Sequence, residues 1–278
     1  MKQIAKRILH TIRWTRGIML SRLGKQHKCS ACGFRGSYLY HQVLWPELIE
    51  EWQLSEQWAH WFDEREGAIC ASCGSNLRCR QLAQAIITAL SLRIKTTADS
   101  LSALFDEPCV ANSKIAEINS AGALHRFLSK SKGLKYSEFC STTAAVPCED
   151  LMHLSYADSS FDLVITSETL EHVPNVDVAL REIYRILRPS GLHIFTVPMV
   201  TDRPQTRQRA YIGEDGALVH LLPPSYHGSP EANKSDLLVF NEFGIDFLER
   251  CSAAGFDTHM SSDKENAASI AFTSIKQR

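Results

Sequence analysis

Residues 161–198 read FDLVITSETLEHVPNVDVALREIYRILRPSGLHIFTVP, which lays out a strand, a polar loop, a helix, a turn and a second strand in one pass. Leu163–Ile165 is a short apolar run with β-branched residues, suited to a strand buried on both faces of a parallel sheet. The polar cluster Ser167–His172 follows it directly. Val178, Leu180, Ile183, Ile186 and Leu187 then recur at helical spacing, Pro189-Ser190-Gly191 stops the helix, and Leu192–Val197 is strand again, closed by Pro198. The spacing predicts a βαβ unit with its reactive side chains at the carboxyl end of the first strand, where open α/β sheets place ligands.

Composition bounds the rest. The 278 residues are 44% hydrophobic and 22% charged, the balance of an ordinary globular protein with room for one large core and a small module. No apolar run approaches the roughly 20 residues of a membrane span. Arg13, Arg16 and Arg22 interrupt the apolar core that a secretory signal would need, so a cytoplasmic location is expected. In a reducing compartment nine cysteines read as metal ligands and buried thiols rather than disulfides.

Charge is uneven along the chain. Residues 1–43 hold nine Lys or Arg and no Asp or Glu. Ile4, Ile8 and Ile12 fall on one face of a basic amphipathic helix expected within residues 1–28, suited to an anionic membrane surface, to nucleic acid, or to docking on the chain's own acidic stretch 47–66.

Cys29-Ser-Ala-Cys32 and Cys70-Ala-Ser-Cys73 are two CxxC knuckles separated by 37 residues, each followed by glycine. Four such thiolates satisfy a tetrahedral Zn²⁺, and a structural site of this kind keeps no open coordination position. Between them Trp45, Trp52, Trp58, Trp61 and Phe62 supply apolar mass, and Leu44–Phe62 reads as helical. A second helix is expected over Ser75–Ile94, with Ser75 as its cap.

The segments Cys148-Glu149-Asp150-Leu151, Ser159-Ser160-Phe161-Asp162-Leu163, Ser167-Glu168, Leu170-Glu171-His172-Val173 and Leu187-Arg188-Pro189-Ser190-Gly191 resemble, in that order, the second half of a class I S-adenosylmethionine-dependent methyltransferase of the small-molecule type. The resemblance covers about residues 114–198. It implies a Rossmann-like, doubly wound, mostly parallel seven-stranded α/β sheet behind a zinc-binding module. The expected organisation is the basic helix 1–28, a zinc module with linking helix over 29–95, and the methyltransferase domain 96–278, carrying an insertion at about 199–238.

The family opens with a strand ending in an acid and a loop of alternating glycines. Here the strand is Lys114–Ile118, the acid Glu117, and the loop Asn119-Ser120-Ala121-Gly122-Ala123 keeps only Gly122. Asn tolerates the left-handed backbone region better than Ala. The loop therefore either weakens cofactor binding or passes the turn to Gly122. Glu138 stands 21 residues beyond Glu117, where the resemblance implies a carboxylate on the ribose hydroxyls. Asp150, beside Leu151 and ending a third strand over about Ala145–Glu149, matches the acid set against the adenine amino group. Ser167 and Glu168 would face the sulfonium or the acceptor.

Residues 199–238 depart from the pattern and hold Arg207, Arg209, His220 and Tyr226-His227-Gly228. That segment reads as an acceptor lid or as a Pro-rich surface loop. His227, Tyr226 and His172 are the candidate catalytic residues, histidine having a suitable pKa for a base. Asn241–Ala254 is expected as a helix and Ala268–Ile275 as the closing strand. The expected activity is methyl transfer from S-adenosylmethionine to an oxygen or nitrogen of a small or conjugated acceptor, with Zn²⁺ as a structural ion. The competing readings are an RNA methyltransferase and a noncatalytic protein whose loop has lost the cofactor.

Overall fold

The computed structural model describes residues 26–139, 144–226 and 238–277. The expected basic helix and His227 lie outside the described residues, apart from the last positions of the 1–28 segment. Six strands form the central sheet: β1 (Lys114–Ile118), β2 (Gly133–Ser137), β3 (Phe161–Ser167), β4 (Leu187–Thr196), β5 (Phe256–Ser262) and β6 (Ile270–Lys276). Their spatial order is β5-β6-β4-β3-β1-β2. β2, β1, β3 and β4 are parallel, whereas β6 runs antiparallel to β4 and β5 antiparallel to β6. The chain leaves β1 for β2 on one side and returns to β3 on the other, so the order reverses between β1 and β3. That switch point opens a crevice outside the strands' carboxyl ends.

Alternation along the strands builds two apolar layers. On one face Ile115, Leu163, Ile165 and Ile194 pack with Leu82, Ile86 and Leu90 of the helix Leu77–Ile94. On the other, Val164, Phe195 and Phe272 pack with Leu180 and Ile183 of the helix Val176–Ile186 and with Phe247 of the helix Phe247–Ala253. The longer helices among the described residues are numbered α1 (Pro46–Glu51), α2 (Glu56–Gly67), α3 (Leu77–Ile94), α4 (Val176–Ile186) and α5 (Phe247–Ala253).

The expected third strand over Ala145–Glu149 does not form. It is reduced to a single parallel bridge, Glu138 to Cys148, held by Glu138 N–H to Pro147 O and Glu149 N–H to Glu138 O, both at 3.0 Å. Among the described residues the sheet thus has six strands rather than seven. Pro147 has no N–H to donate, which limits the ladder at this edge. β4 begins at Leu187, five residues before the expected Leu192, because Arg188–Gly191 bulge out between the pairs Phe161–Leu187 and Leu163–Leu192. Ser190 takes the left-handed conformation there (φ 63°). Leu44–Phe62 is two helices, broken at Trp52–Leu54 where Gln53 has φ 51°. Asn76, not Ser75, caps α3 by accepting from Cys79 N–H. The helix expected over Asn241–Ala254 is confined to α5, because Asn241–Glu242 pair as a short strand with Arg207–Gln208. No helix among the described residues is long and apolar enough to cross a membrane.

Candidate active site

Glu117, the penultimate residue of β1, is fully buried, and its carboxylate is spent locally. One oxygen accepts from Ala121 N–H at 2.8 Å and the other lies 2.6 Å from His125 Nδ1. Burial nevertheless leaves its pKa above the ordinary carboxylate range. The hydrogen bond to Ala121 closes the loop on itself, and two residues supply the backbone freedom: Asn119 at φ 56° and Gly122 at φ 62°. Gly122 therefore carries a left-handed position, and Ala121, at φ −75°, is not forced into one. The Asn119 side chain also accepts from Phe139 N–H at 2.9 Å, tying the loop after β1 to the residue after Glu138. Ser120 Oγ accepts from Gly122 N–H at 3.1 Å.

Glu138 follows β2 and takes a hydrogen bond from the Tyr136 hydroxyl. Asp150 caps its own turn by accepting from Met152 N–H at 2.8 Å, and Leu151 beside it is buried. Glu117 and Glu138 thus lie at the carboxyl ends of the neighbouring strands β1 and β2, and Asp150 lies two residues past the bridge between Cys148 and Glu138.

Ser167 and Glu168, at the end of β3, are held by residues that sequence reasoning missed. Arg65 of α2, 1% exposed, donates to both Glu168 oxygens at 2.9 and 2.7 Å. Burial alone would raise the Glu168 pKa, but the Arg65 charge and hydrogen bonds bring it below the usual range. Arg78 of α3 donates to Ser167 Oγ at 2.7 Å. Glu66 joins the two arginines, accepting from Arg65 at 2.7 Å and from Arg78 Nε at 2.9 Å. The local signal was position only: Arg65 and Arg78 flank the second CxxC knuckle, while their targets lie about a hundred residues downstream.

Glu171 is fully buried and neither of its oxygens accepts a hydrogen bond. Burial, then the nearby Glu168 charge, lift its pKa well above the carboxylate range. His172 is largely buried, which lowers its pKa, and its Nδ1 lies 2.9 Å from Leu238 O. Donation to that carbonyl fixes the neutral tautomer with the proton on Nδ1. Tyr226 forms an isolated bridge with Leu238 and is 39% exposed.

The insertion is structured rather than loose among its described residues. It carries the hairpin Ala210–Ile212 with Leu218–His220, and it is pinned to the amino-terminal module by Trp52 Nε1 to Ser225 Oγ at 3.0 Å and Trp58 Nε1 to Asp202 at 2.7 Å. Arg203, Arg207 and Arg209 converge on the buried Glu242. Arg207 and Arg209, which the sequence places in this segment, are thus engaged in ion pairs.

Cys29, Cys32, Cys70 and Cys73 bring their sulfurs within 4.8 Å of one another. The two knuckles share one backbone pattern. Gly33 and Gly74 donate to Cys29 O and Cys70 O, both at 2.8 Å, and the Cys29 and Cys70 amides donate to Phe34 O and Ser75 O, both at 2.9 Å. Gly33 and Gly74 are left-handed (φ 80° and 75°).

Residues 120–195 match the family described as a methyltransferase domain. That match spans 76 of the chain's 278 residues. Among curated relatives, a demethylmenaquinone methyltransferase of Lactobacillus johnsonii is 52% identical over 42 residues, covering 15% of this chain and 17% of that protein. The methyltransferase GfsG of Streptomyces halstedii is 34% identical over 76 residues, 27% of each chain. The chain thus matches between about a sixth and about a quarter of these relatives' lengths. Among solved structures, the 1,6-didemethyltoxoflavin-N1-methyltransferase of Burkholderia thailandensis aligns at 13% identity and a TM-score of 0.44, covering 92% of this chain and all of that one. An S-adenosylmethionine-dependent methyltransferase of Mesorhizobium loti aligns at 15% identity and a TM-score of 0.42, covering 64% of this chain and 95% of that one.

Proposed function

We propose that this chain transfers a methyl group from S-adenosylmethionine to a small-molecule or conjugated acceptor. The observation that carries the reading is the loop after β1: two left-handed residues, Asn119 and Gly122, keep the turn open despite the missing glycines, with Glu117 holding it from below. This supports reading the degenerate sequence as a rearranged cradle rather than a lost one. Glu138 and Asp150 supply acceptor oxygens suited to ribose hydroxyls and an adenine amino group. Leu151 offers an apolar floor and Ser120 a hydroxyl. S-adenosylmethionine, when bound, supplies a methyl group already activated on its sulfonium.

The chain's own part is alignment, exclusion of water and, for a weakly acidic acceptor, removal of a proton. His172 is a candidate base among the described residues: the Leu238 carbonyl accepts from its Nδ1, and its Nε2 lies 3.7 Å from the Glu171 carboxyl. Tyr226 and His227 remain candidates on the insertion. The acceptor atom in this reading is an oxygen or a nitrogen. The four cysteines are read as a structural Zn²⁺ site: the donor set is all thiol, the sulfurs are gathered, and each knuckle turns through a left-handed glycine.

Calorimetric titration of the full chain with S-adenosylmethionine tests the proposal. Saturable heat is expected, with thermal stabilisation of about 2.7 kcal/mol at a hundredfold excess over the dissociation constant. No heat and no thermal shift at millimolar ligand would sink it.

A further inference from the structure

Beside Glu168, one residue past β3, and Pro198, two past β4, lies an open-mouthed cavity of about 380 Å³. Its wall comes from the amino-terminal module, through Trp45, Leu48, Trp52, Leu54 and Phe62. Its floor is Arg65, Glu66, Arg78 and Glu168. Trp45 is 42% exposed, a large apolar surface left uncovered at the mouth.

Three properties choose an occupant. The volume falls near the low end of small-molecule pockets, roughly 300–1,000 Å³, and suits one or two rings rather than a helix or a nucleic-acid strand. The wall is almost wholly apolar and aromatic, which rewards a flat ring system. The floor carries two guanidinium groups matched by two carboxylates already paired with them, so a charged head group would meet no net counter-charge. A neutral group that both donates and accepts hydrogen bonds suits it best.

The geometry points to this cavity as the acceptor site, holding a small uncharged aromatic molecule that presents one hydroxyl to the Arg65–Glu168 floor. The assignment of the occupant as an acceptor rests on the methyltransferase reading; the binding itself does not. The tryptophan helices between the two cysteine knuckles are then the acceptor wall, and the insertion braces them through Trp52 and Trp58.

The test is titration of the full chain with 1-naphthol, followed by tryptophan fluorescence, with naphthalene-1-sulfonate as the charged counterpart. Trp45→Ala and Leu48→Asp are the variants, both at partly exposed positions, with unchanged thermal midpoints as the check on folding. Saturable 1-naphthol binding, weakened at least tenfold in both variants and at least tenfold for the sulfonate, is the expected result. No saturable binding by the full chain, equal binding by the variants, or tighter binding of the sulfonate overturns the proposal. Binding that is absent in the full chain but gained in Ile8→Asp also overturns it, giving the cavity to the chain's own amino-terminal segment. S-adenosylmethionine titrated into the same proteins separates the two readings. Its failure alone removes the methyltransferase reading, and naphthol's failure alone removes the acceptor site.

Discussion

The guanidinium of Arg65 and the carboxylate of Glu168 form a two-pronged pair at 2.9 and 2.7 Å, joining the end of α2 to the end of β3 across 103 positions of sequence. Glu168 holds a left-handed backbone (φ 50°), a conformation that persists in a non-glycine residue only when its surroundings enforce it. Removing one partner of a buried pair leaves the other charge uncompensated, at a cost of about 3–5 kcal/mol. Arg65→Met is expected to lose about that much in denaturant unfolding. Glu168→Gln in the Arg65→Met background should cost far less than in the wild type. Additive losses from the two substitutions would show that the pair is not coupled.

The second cysteine knuckle sits between the two arginines that hold the β3 loop. Arg65 and Glu66 end α2, residues 68–70 pair with 38–40, Cys70–Cys73 turn, and Asn76 caps the helix that carries Arg78. A metal bound to the four thiolates would therefore set the separation of Arg65 and Arg78. The purified chain should contain one zinc per molecule, and Cys70→Ser with Cys73→Ser none. Removing the metal should cost several kcal/mol, lowering the thermal midpoint by roughly 10 °C. In the metal-free variant the penalty of Arg65→Met should shrink, because its pair is already loosened. A full penalty there would disconnect the metal site from the β3 loop.

Legibility in the sequence followed the range of the interactions. The βαβ unit 161–198 could be read because buried parallel strands and an amphipathic helix write themselves locally, and the closing strand β6 was legible as well. The cysteine knuckles were equally plain. The third strand was not, since Ala145–Glu149 looks extended but has Pro147 at its centre and meets β2 through Glu138 alone. The break after Trp52 also gave no warning, because Gln53 turns left-handed without a glycine or proline to mark it. Glu117 and Glu138 were legible as acids at the carboxyl ends of β1 and β2, whereas Asp150 follows a strand that does not form. Arg65, Arg78 and the aromatic wall were not, because their partners are chosen by tertiary packing.

The loop after β1 makes a comparison between its two left-handed positions. An added Cβ at Gly122 would meet only Cys79 Sγ, at an ordinary 3.5 Å, so the barrier to a side chain there is backbone conformation rather than space. Gly122→Ala is expected to cost roughly 1–2 kcal/mol of stability and to weaken S-adenosylmethionine binding. Asn119→Gly relieves its backbone while losing the Phe139 hydrogen bond, so the two effects should offset to within about 1 kcal/mol. Asn119→Ala loses the hydrogen bond and keeps the strain, and should be the worse of the two Asn119 variants by calorimetric titration and by unfolding. Equal behaviour of all three would mean that the turn does not shape the site.

Glu171 gives the pH dependence. Its folded pKa is raised by burial, so the protonated form is the one the fold accommodates, and its contribution to stability is fully present below the unfolded value near 4.3. As pH rises the unfolded chain releases the proton while the folded chain keeps it, and the contribution is lost progressively until pH passes the folded pKa. The loss is about 1.4 kcal/mol per pH unit within that window. Glu171→Gln removes the titration and keeps the shape. Its stability relative to the wild type should therefore climb with pH from 5 to 8 in denaturant unfolding. A difference that stays flat over that range would mean that Glu171 is ionised in the folded protein, with a counter-charge satisfying it.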